Sequence, residues 1–218
     1  MGRGDLATRL VLTAAIVAGG SYLAADYLIL SPAECLAWKG AGVGLLAVFA
    51  ALRARSFDGW LVFAVMAAGA AGDVLLGATG FVVGGGAFLV GHLIAVRLYL
   101  KGRRQVLSWP DRLFAGALIP TTVVCAFLLP ADRGSAPGVA VYATGLSCMA
   151  ASAWISRFPR DRVALGALMF LASDMLIFAR SGPLAGQAWL GFGVWSLYFA
   201  GQALICIGVV GALAREGR

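Results

Sequence analysis

The chain has 218 residues, of which 61% are hydrophobic and only 12% charged, a composition outside the range of ordinary soluble domains. Its net charge is +7, but the basic residues sit in short segments between apolar runs, where they act as topology signals and not as a nucleic-acid surface. No hydrophilic stretch is long enough to form a separate soluble domain.

Apolar runs of about twenty residues recur along the chain, the length that crosses a bilayer core as a helix. Backbone groups in lipid must be satisfied within their own segment, so these runs are expected to be helices. The first span, near 8–30, begins like a secretory leader, with Arg9 before an apolar run and small residues around Ala24. The run continues towards Leu30, too far for a leader core, and is read as a retained span. The second, 34–52, carries Glu34 and Lys39 at its start. Spans 59–77 and 81–100 are joined by the turn Gly77-Ala78-Thr79-Gly80, with Asp73 inside one and His92 inside the other. Spans 112–130 and 137–156 follow, then 162–180 with Ser173-Asp174 and 187–213 with Tyr198 and Gln202. The expected fold is all-α: a polytopic bundle of eight transmembrane helices, forming a single integral membrane domain over 1–218.

Eight spans place both termini on one side, and the charges test this. Fourteen Lys and Arg lie at the termini and in the loops after spans two, four and six: Arg3, Arg9, Arg53, Arg55, Arg97, Lys101, Arg103, Arg104, Arg112, Arg157, Arg160, Arg162, Arg215 and Arg218. The other face carries only Lys39, Arg133 and Arg180. By the positive-inside rule the first face, with both termini, is cytoplasmic. The four cysteines, Cys35, Cys125, Cys148 and Cys206, are scattered singly and read as small core hydrophobes.

A weak internal repeat is visible. Gly72-Asp73-Val74-Leu75-Leu76 resembles Ser173-Asp174-Met175-Leu176-Ile177, 101 residues later. Thr8-Arg9-Leu10 resembles Asp111-Arg112-Leu113 at nearly the same offset, and the Arg53/Arg55 loop falls near Arg157. Four spans separate the copies, so halves 1–100 and 101–218 would form a parallel 4+4 duplication.

A carboxylate in a run of Ala, Gly, Val and Leu is costly to hold in hydrocarbon, and usually faces a protein interior or a watery cavity. Asp73 and Asp174 each lie inside a span with no Lys or Arg close to them in the same helix. Counted from the expected span ends, they sit roughly 6 and 9 Å from the non-cytoplasmic side. Gly69, Asp73 and Gly77 recur every four residues, a small-residue ridge that turns Asp73 towards a neighbouring helix. Phe81, Gly84, Phe88 and His92 form one stripe of span four, and Tyr198 and Gln202 are one turn apart in span eight. With Lys39 and Glu34, these polar groups share the middle and outer half of the bilayer, where the two acids are expected to meet in one pocket between spans three and seven. Plainer readings exist: a lone histidine is more often a buried donor to a carbonyl, and a Lys near a span end often snorkels to the interface.

With one histidine in the chain, a zinc hydrolase lacks its ligands, and no metal or other cofactor is expected. No Gly-x-Ser-x-Gly setting supports an acyl-enzyme, and no phosphate-binding loop is present. Carboxyl chemistry remains. A carboxyl withdrawn from water ionises less readily, and of two held close together one keeps its proton more firmly. One can then donate a proton while the other stays anionic, a division of labour suited to an oxocarbenium intermediate such as protonation of a vinyl ether produces.

These residues carry a resemblance to the YhhN family of membrane proteins, whose characterised animal members are lysoplasmalogenases. The family's Gly-Asp in span three appears as Gly72-Asp73, and its Phe-x2-Gly-x3-Phe-x3-His in span four as Phe81, Gly84, Phe88 and His92. Its Ser-Asp in span seven matches Ser173-Asp174, and its Tyr-x3-Gln in span eight matches Tyr198 and Gln202. The Lys-Pro of span two appears as Lys39-Gly40 without the proline, and the Tyr three residues after the His is Ala95 here; both departures bear on helix shape and pocket lining. The ordered set covers essentially the whole chain. It implies hydrolysis of the vinyl ether of a lysoplasmalogen to a fatty aldehyde and a glycerophospho-head group, with Asp73 and Asp174 as proton donor and water-activating or cation-stabilising carboxylate. Lys39 would pair with the substrate phosphate, while His92, Tyr198, Gln202, Glu34 and Ser173 would complete the substrate site. The partner implied is a lysophospholipid from the bilayer, with homo-oligomerisation left open. The high Ala, Gly and Arg content is compatible with a GC-rich bacterial source, hence the bacterial inner membrane. The competing reading is a proton- or cation-coupled transporter of a lipid or small molecule, with the same two acids as coupling sites. A helix-bundle partner or sensor would leave the acids unexplained. The site is expected to open to the non-cytoplasmic leaflet, and a cavity facing the cytoplasm would show the inverse topology.

Overall fold

Three of the helices begin where a serine can cap them. The Ser31 side chain accepts from the Glu34 backbone N–H while the Glu34 carboxylate accepts from Ser31 N–H, and Pro32 occupies the first turn. Ser56 and Ser108 accept from Gly59 and Asp111 in the same way. A computed structural model of the protein describes residues 3–216, without the side chains of Arg3 and Asp26. Arg218, counted above with the cytoplasmic charges, lies outside the described residues, as does the side chain of Arg3.

The described residues form eight α-helices: α1 (Arg3–Ser21), α2 (Pro32–Arg53), α3 (Phe57–Thr79), α4 (Phe81–Lys101), α5 (Trp109–Leu128), α6 (Ala136–Ile155), α7 (Leu165–Arg180) and α8 (Leu190–Glu216). A 3-10 stretch, Tyr22–Tyr27, follows α1, and a π-helical turn, Arg160–Ala164, leads into α7. All eight are long and apolar enough to cross a membrane, counting α1 with part of its 3-10 stretch as Asp5–Ala25 and α7 with its π turn as Arg160–Arg180. The protein is an all-α integral membrane protein.

Boundaries differ from those read in the sequence, each for a local reason. Helices α2, α3 and α5 start two to three residues earlier than expected because their serine caps lie outside the apolar runs. The expected Gly77–Gly80 turn is shorter. Helix α3 continues to Thr79, whose hydroxyl donates to Leu75 O, and Gly80 alone reverses the chain at φ 91°. The first span is regular only to Ser21 and tightens into the 3-10 stretch beyond.

The chain divides into two compact units, one holding residues up to Ala95 together with those from Cys206, the other Val96–Ile205. In the first, α1 packs on α2 and α2 on α3. Trp38 Nε1 bonds Ala18 O and Ser21 Oγ at 3.1 and 3.2 Å, fixing α2 to α1. The core gathers Val43, Leu46, Val62 and Met66, with the Cys206 thiol directed at Leu46 O.

In the second unit α5 packs on α6, and the chain between α4 and α5 is sewn to the end of α6. Arg157 N–H donates to Gly102 O at 2.7 Å and Arg104 N–H to Ile155 O at 3.1 Å. Buried Asp111 accepts from Trp154 Nε1 and pairs with Arg104 and Arg160, whose guanidinium lies over the Trp154 ring at 4.8 Å. Two of the cations read as topology signals thus also hold a loop. Helices α7 and α8 cross through glycines: a methyl on Gly201 would stand 2.6 Å from Gly166 O, and one on Gly166 2.6 Å from Gly201 O. Replacing Gly201 by Val should therefore lower thermal stability in detergent by about 1–3 kcal/mol through overpacking. Gly116→Ala, where nothing stands within 4 Å of an added methyl, should hold or raise it; equal melting of the two variants would contradict the close crossing.

Candidate active site

The acid of the first unit is enclosed by small residues. Asp73 is 2% exposed, in a helix whose neighbours on both sides press close at glycines. On the α4 side, a methyl at Gly72 would stand 2.7 Å from the Phe88 ring, and Gly84 lies against the backbone of Leu76. On the α2 side, a methyl at Gly40 would stand 2.8 Å from Val74, and Gly44 faces Ala70. The motif residues Gly72, Gly84 and Phe88 are therefore packing partners that bring α3 and α4 together, and the carboxyl beside Gly72 is buried as a result. The antiparallel register of α2 on α3 sets Lys39, half-buried, close to the level of Asp73. His92 is buried at 4% exposure on α4, and Phe81, first of its stripe, is exposed. Glu34 is exposed and engaged in its helix cap, its carboxylate accepting from the Ser31 N–H and hydroxyl at 2.8 and 2.7 Å.

The acid of the second unit has a hydroxyl aimed at it. Asp174 is 6% exposed, and the Tyr142 hydroxyl of α6 donates to its Oδ2 at 2.6 Å. The Tyr142 ring meets Phe178 edge-on, 6.0 Å between centroids. On the other side of α7, Ser173 Oγ donates to Val194 O of α8 at 2.9 Å, so its hydroxyl joins the two helices. One turn earlier Phe170 meets Tyr198 edge-on at 5.0 Å, and Trp195 flanks Tyr198 at 5.4 Å. Tyr198 and Gln202 are both buried, with the Gln202 amide 3.5 Å from the Tyr198 hydroxyl. Among the described residues, Gln202 Oε1 is buried with no hydrogen-bond partner. A buried acceptor left open in this way marks a place for a donor, a water or a ligand hydroxyl.

Each acid stands six residues before the C-terminal end of its helix, at Thr79 and Arg180, which is about 9 Å along the axis. The first unit holds Glu34, Lys39, Asp73 and His92, and the second Ser173, Asp174, Tyr198 and Gln202. Among the described residues, no three of His, Cys, Asp and Glu gather as a metal site would need. Sequence reading did not single out Tyr142. Its signal was a lone phenol in an otherwise apolar and small-residue span, placed so that its helix meets α7.

The profile of the YhhN family matches residues 35–209. This chain belongs to the YhhN family. Two curated relatives, each named lysoplasmalogenase, come from Mycobacterium bovis (strain ATCC BAA-935 / AF2122/97) and Mycobacterium tuberculosis (strain CDC 1551 / Oshkosh). Each is 35% identical over 160 residues, 68% of this chain and 59% of the relative, so the match spans about three fifths of the relatives' length. No solved structure matches. Every candidate YhhN site residue lies inside the matched range except Glu34, which precedes it by one.

If Phe88 fills the space over Gly72, Gly72→Ala should cost about 1–3 kcal/mol of stability. Phe88→Leu in the same protein should recover part of that loss, read by thermal unfolding. Additive losses in the double variant would contradict the packing of this motif pair.

Proposed function

We propose that this protein is an intramembrane hydrolase of the lysoplasmalogenase type, an ether hydrolase acting on the vinyl ether of a single-chain lysophospholipid drawn from the bilayer. The observation that carries the proposal is the pair of enclosed carboxyls, Asp73 and Asp174, each buried at the same distance from its helix end. The printed name of the two relatives supports the substrate class.

In this reading one carboxyl protonates the vinyl carbon, and the second stabilises the resulting oxocarbenium or activates the water that adds to it. The hemiacetal then collapses to a fatty aldehyde and the glycerophospho-head group. Lys39 is proposed to pair with the substrate phosphate. His92, Tyr198 and Gln202 are proposed to orient water or glycerol oxygens, with the open Gln202 Oε1 accepting from one of them. Glu34 and Ser173 shape the site through the cap and the α7–α8 bond they make. The proposed setting is the bacterial inner membrane, with both termini cytoplasmic and substrate entering from the other leaflet.

The test is release of aldehyde from a lysoplasmalogen by the purified protein. Asp73→Asn and Asp174→Asn should each lower turnover by about 10²–10⁴-fold while the unfolding temperature stays near that of the unsubstituted protein. Full aldehyde release by either variant would overturn the assignment. Proton-driven solute uptake with no lipid turnover would replace it with a transporter.

A further inference from the structure

We infer that the two paired loops of the second unit, α4–α5 and α6–α7, form a seat for one anionic phospholipid of the adjoining leaflet. Its phosphate rests on the loop arginines and its chains lie along the apolar start of α5. The seat is contained within Val96–Ile205 and does not depend on the chemistry of the two buried acids.

The stretches 101–112 and 156–162 carry seven Lys and Arg against two acids, Asp111 and Asp161. Free loops would let such charges move apart, but these are tied together. The Arg157 and Arg104 N–H groups donate to Gly102 O and Ile155 O, and Arg103 bridges to Ser156 between them. Asp111 answers Arg104 and Arg160, while Asp161 meets exposed Arg162 only at 3.8 Å, a weak pair. Arg103 and Arg112 are exposed and make no ion pair among the described residues. The exposed Arg157 side chain lies across Gly102, where an added methyl would stand 3.1 Å from Nε, with its guanidinium over the Phe158 ring at 5.2 Å. Arg104 Nε and Arg160 Nε have no hydrogen-bond partner among the described residues, so internal contacts do not use up the guanidinium donors. Such donors match phosphate oxygens in pairs, and basic pockets at the ends of membrane helices hold phospholipid headgroups in this way.

A free anion would need only the arginines. The apolar edge beside them selects a lipid. Val106 is 85% exposed and Trp109 73%, and exposed Leu113 stands one turn along α5 from Trp109, on the same face. Tryptophan favours the headgroup level of a bilayer, where its ring meets the chains and its N–H meets water. The excess of positive charge favours a headgroup that carries a phosphate and no ammonium, as phosphatidylglycerol does, over a zwitterionic one.

The test titrates the purified chain in detergent with phosphatidylglycerol or phosphatidylcholine of the same acyl chains, read by native mass spectrometry. Phosphatidylglycerol should bind about tenfold more tightly or better. Arg112→Gln, at an exposed side chain, should weaken that binding by about fivefold, and Arg103→Gln/Arg157→Gln by about twenty-fivefold. The lipid-free unfolding temperature of Arg112→Gln should stay that of the unsubstituted protein. Arg215→Gln, which removes the same charge from the first unit, should leave binding unchanged. Equal affinity for the two lipids would overturn the inference, as would undiminished phosphatidylglycerol binding in Arg112→Gln and the double variant. Glycerophosphoglycerol, the same headgroup without chains, should compete only weakly. Competition as strong as that of the intact lipid would make this a site for a free anion and overturn the lipid as its occupant.

Discussion

A carboxyl kept inside an apolar helix has to be enclosed by protein, because hydrocarbon offers it neither hydrogen bonds nor a counter-charge. Much of this chain's unusual composition follows from that constraint. In the first unit small residues bring the neighbouring helices close around the acid. Glycines at 40, 72 and 84 let α2 and α4 close on α3, and Phe88 covers the space above Gly72. In the second unit a phenol donates to the acid. Tyr142 reaches Asp174 from α6, while Ser173 and the glycine crossing at 166 and 201 draw α8 against α7. The 30 glycines of the chain are thus not loop residues in the main. Many lie mid-helix, where close approach of backbones replaces the hydrophobic drive that lipid does not supply.

The charged residues at the helix ends also hold the fold together. Asp111 collects Arg104, Arg160 and the Trp154 indole, and the backbone bonds between Gly102 and Arg157 and between Arg104 and Ile155 close the same seam. A positive-inside pattern of arginines is sufficient to orient a chain. Their arrangement around one buried acid also fixes the ends of α4 and α6 within the second unit.

The eight spans were legible in the sequence because an apolar run of about twenty residues can satisfy its backbone in lipid only as a helix, and counting such runs then counts the helices. Helix ends were less legible. The serine caps at 31, 56 and 108 sit outside the hydrophobic runs, and Gly77 looks like a turn residue yet serves as a small face within α3, against Leu36. The candidate acids were visible because a charge in an apolar run has no neutral explanation. Tyr142 was not, since a phenol is at home in any membrane span and only the packing of α6 on α7 gives it a direction. The same limit applies to Asp111: beside Arg112 it reads as surface charge, and its burial depends on a tryptophan 43 residues away.

The hydrolase proposal stands on Asp73 and Asp174 acting on one molecule of substrate, and a double-substitution cycle on aldehyde release tests that most directly. Residues that work as a unit are strongly non-additive. The Asp73→Asn/Asp174→Asn protein is predicted to be no slower than the slower of the two single variants. Losses that multiply in the double variant would mean that the two carboxyls serve separate events, and would contradict a shared catalytic site.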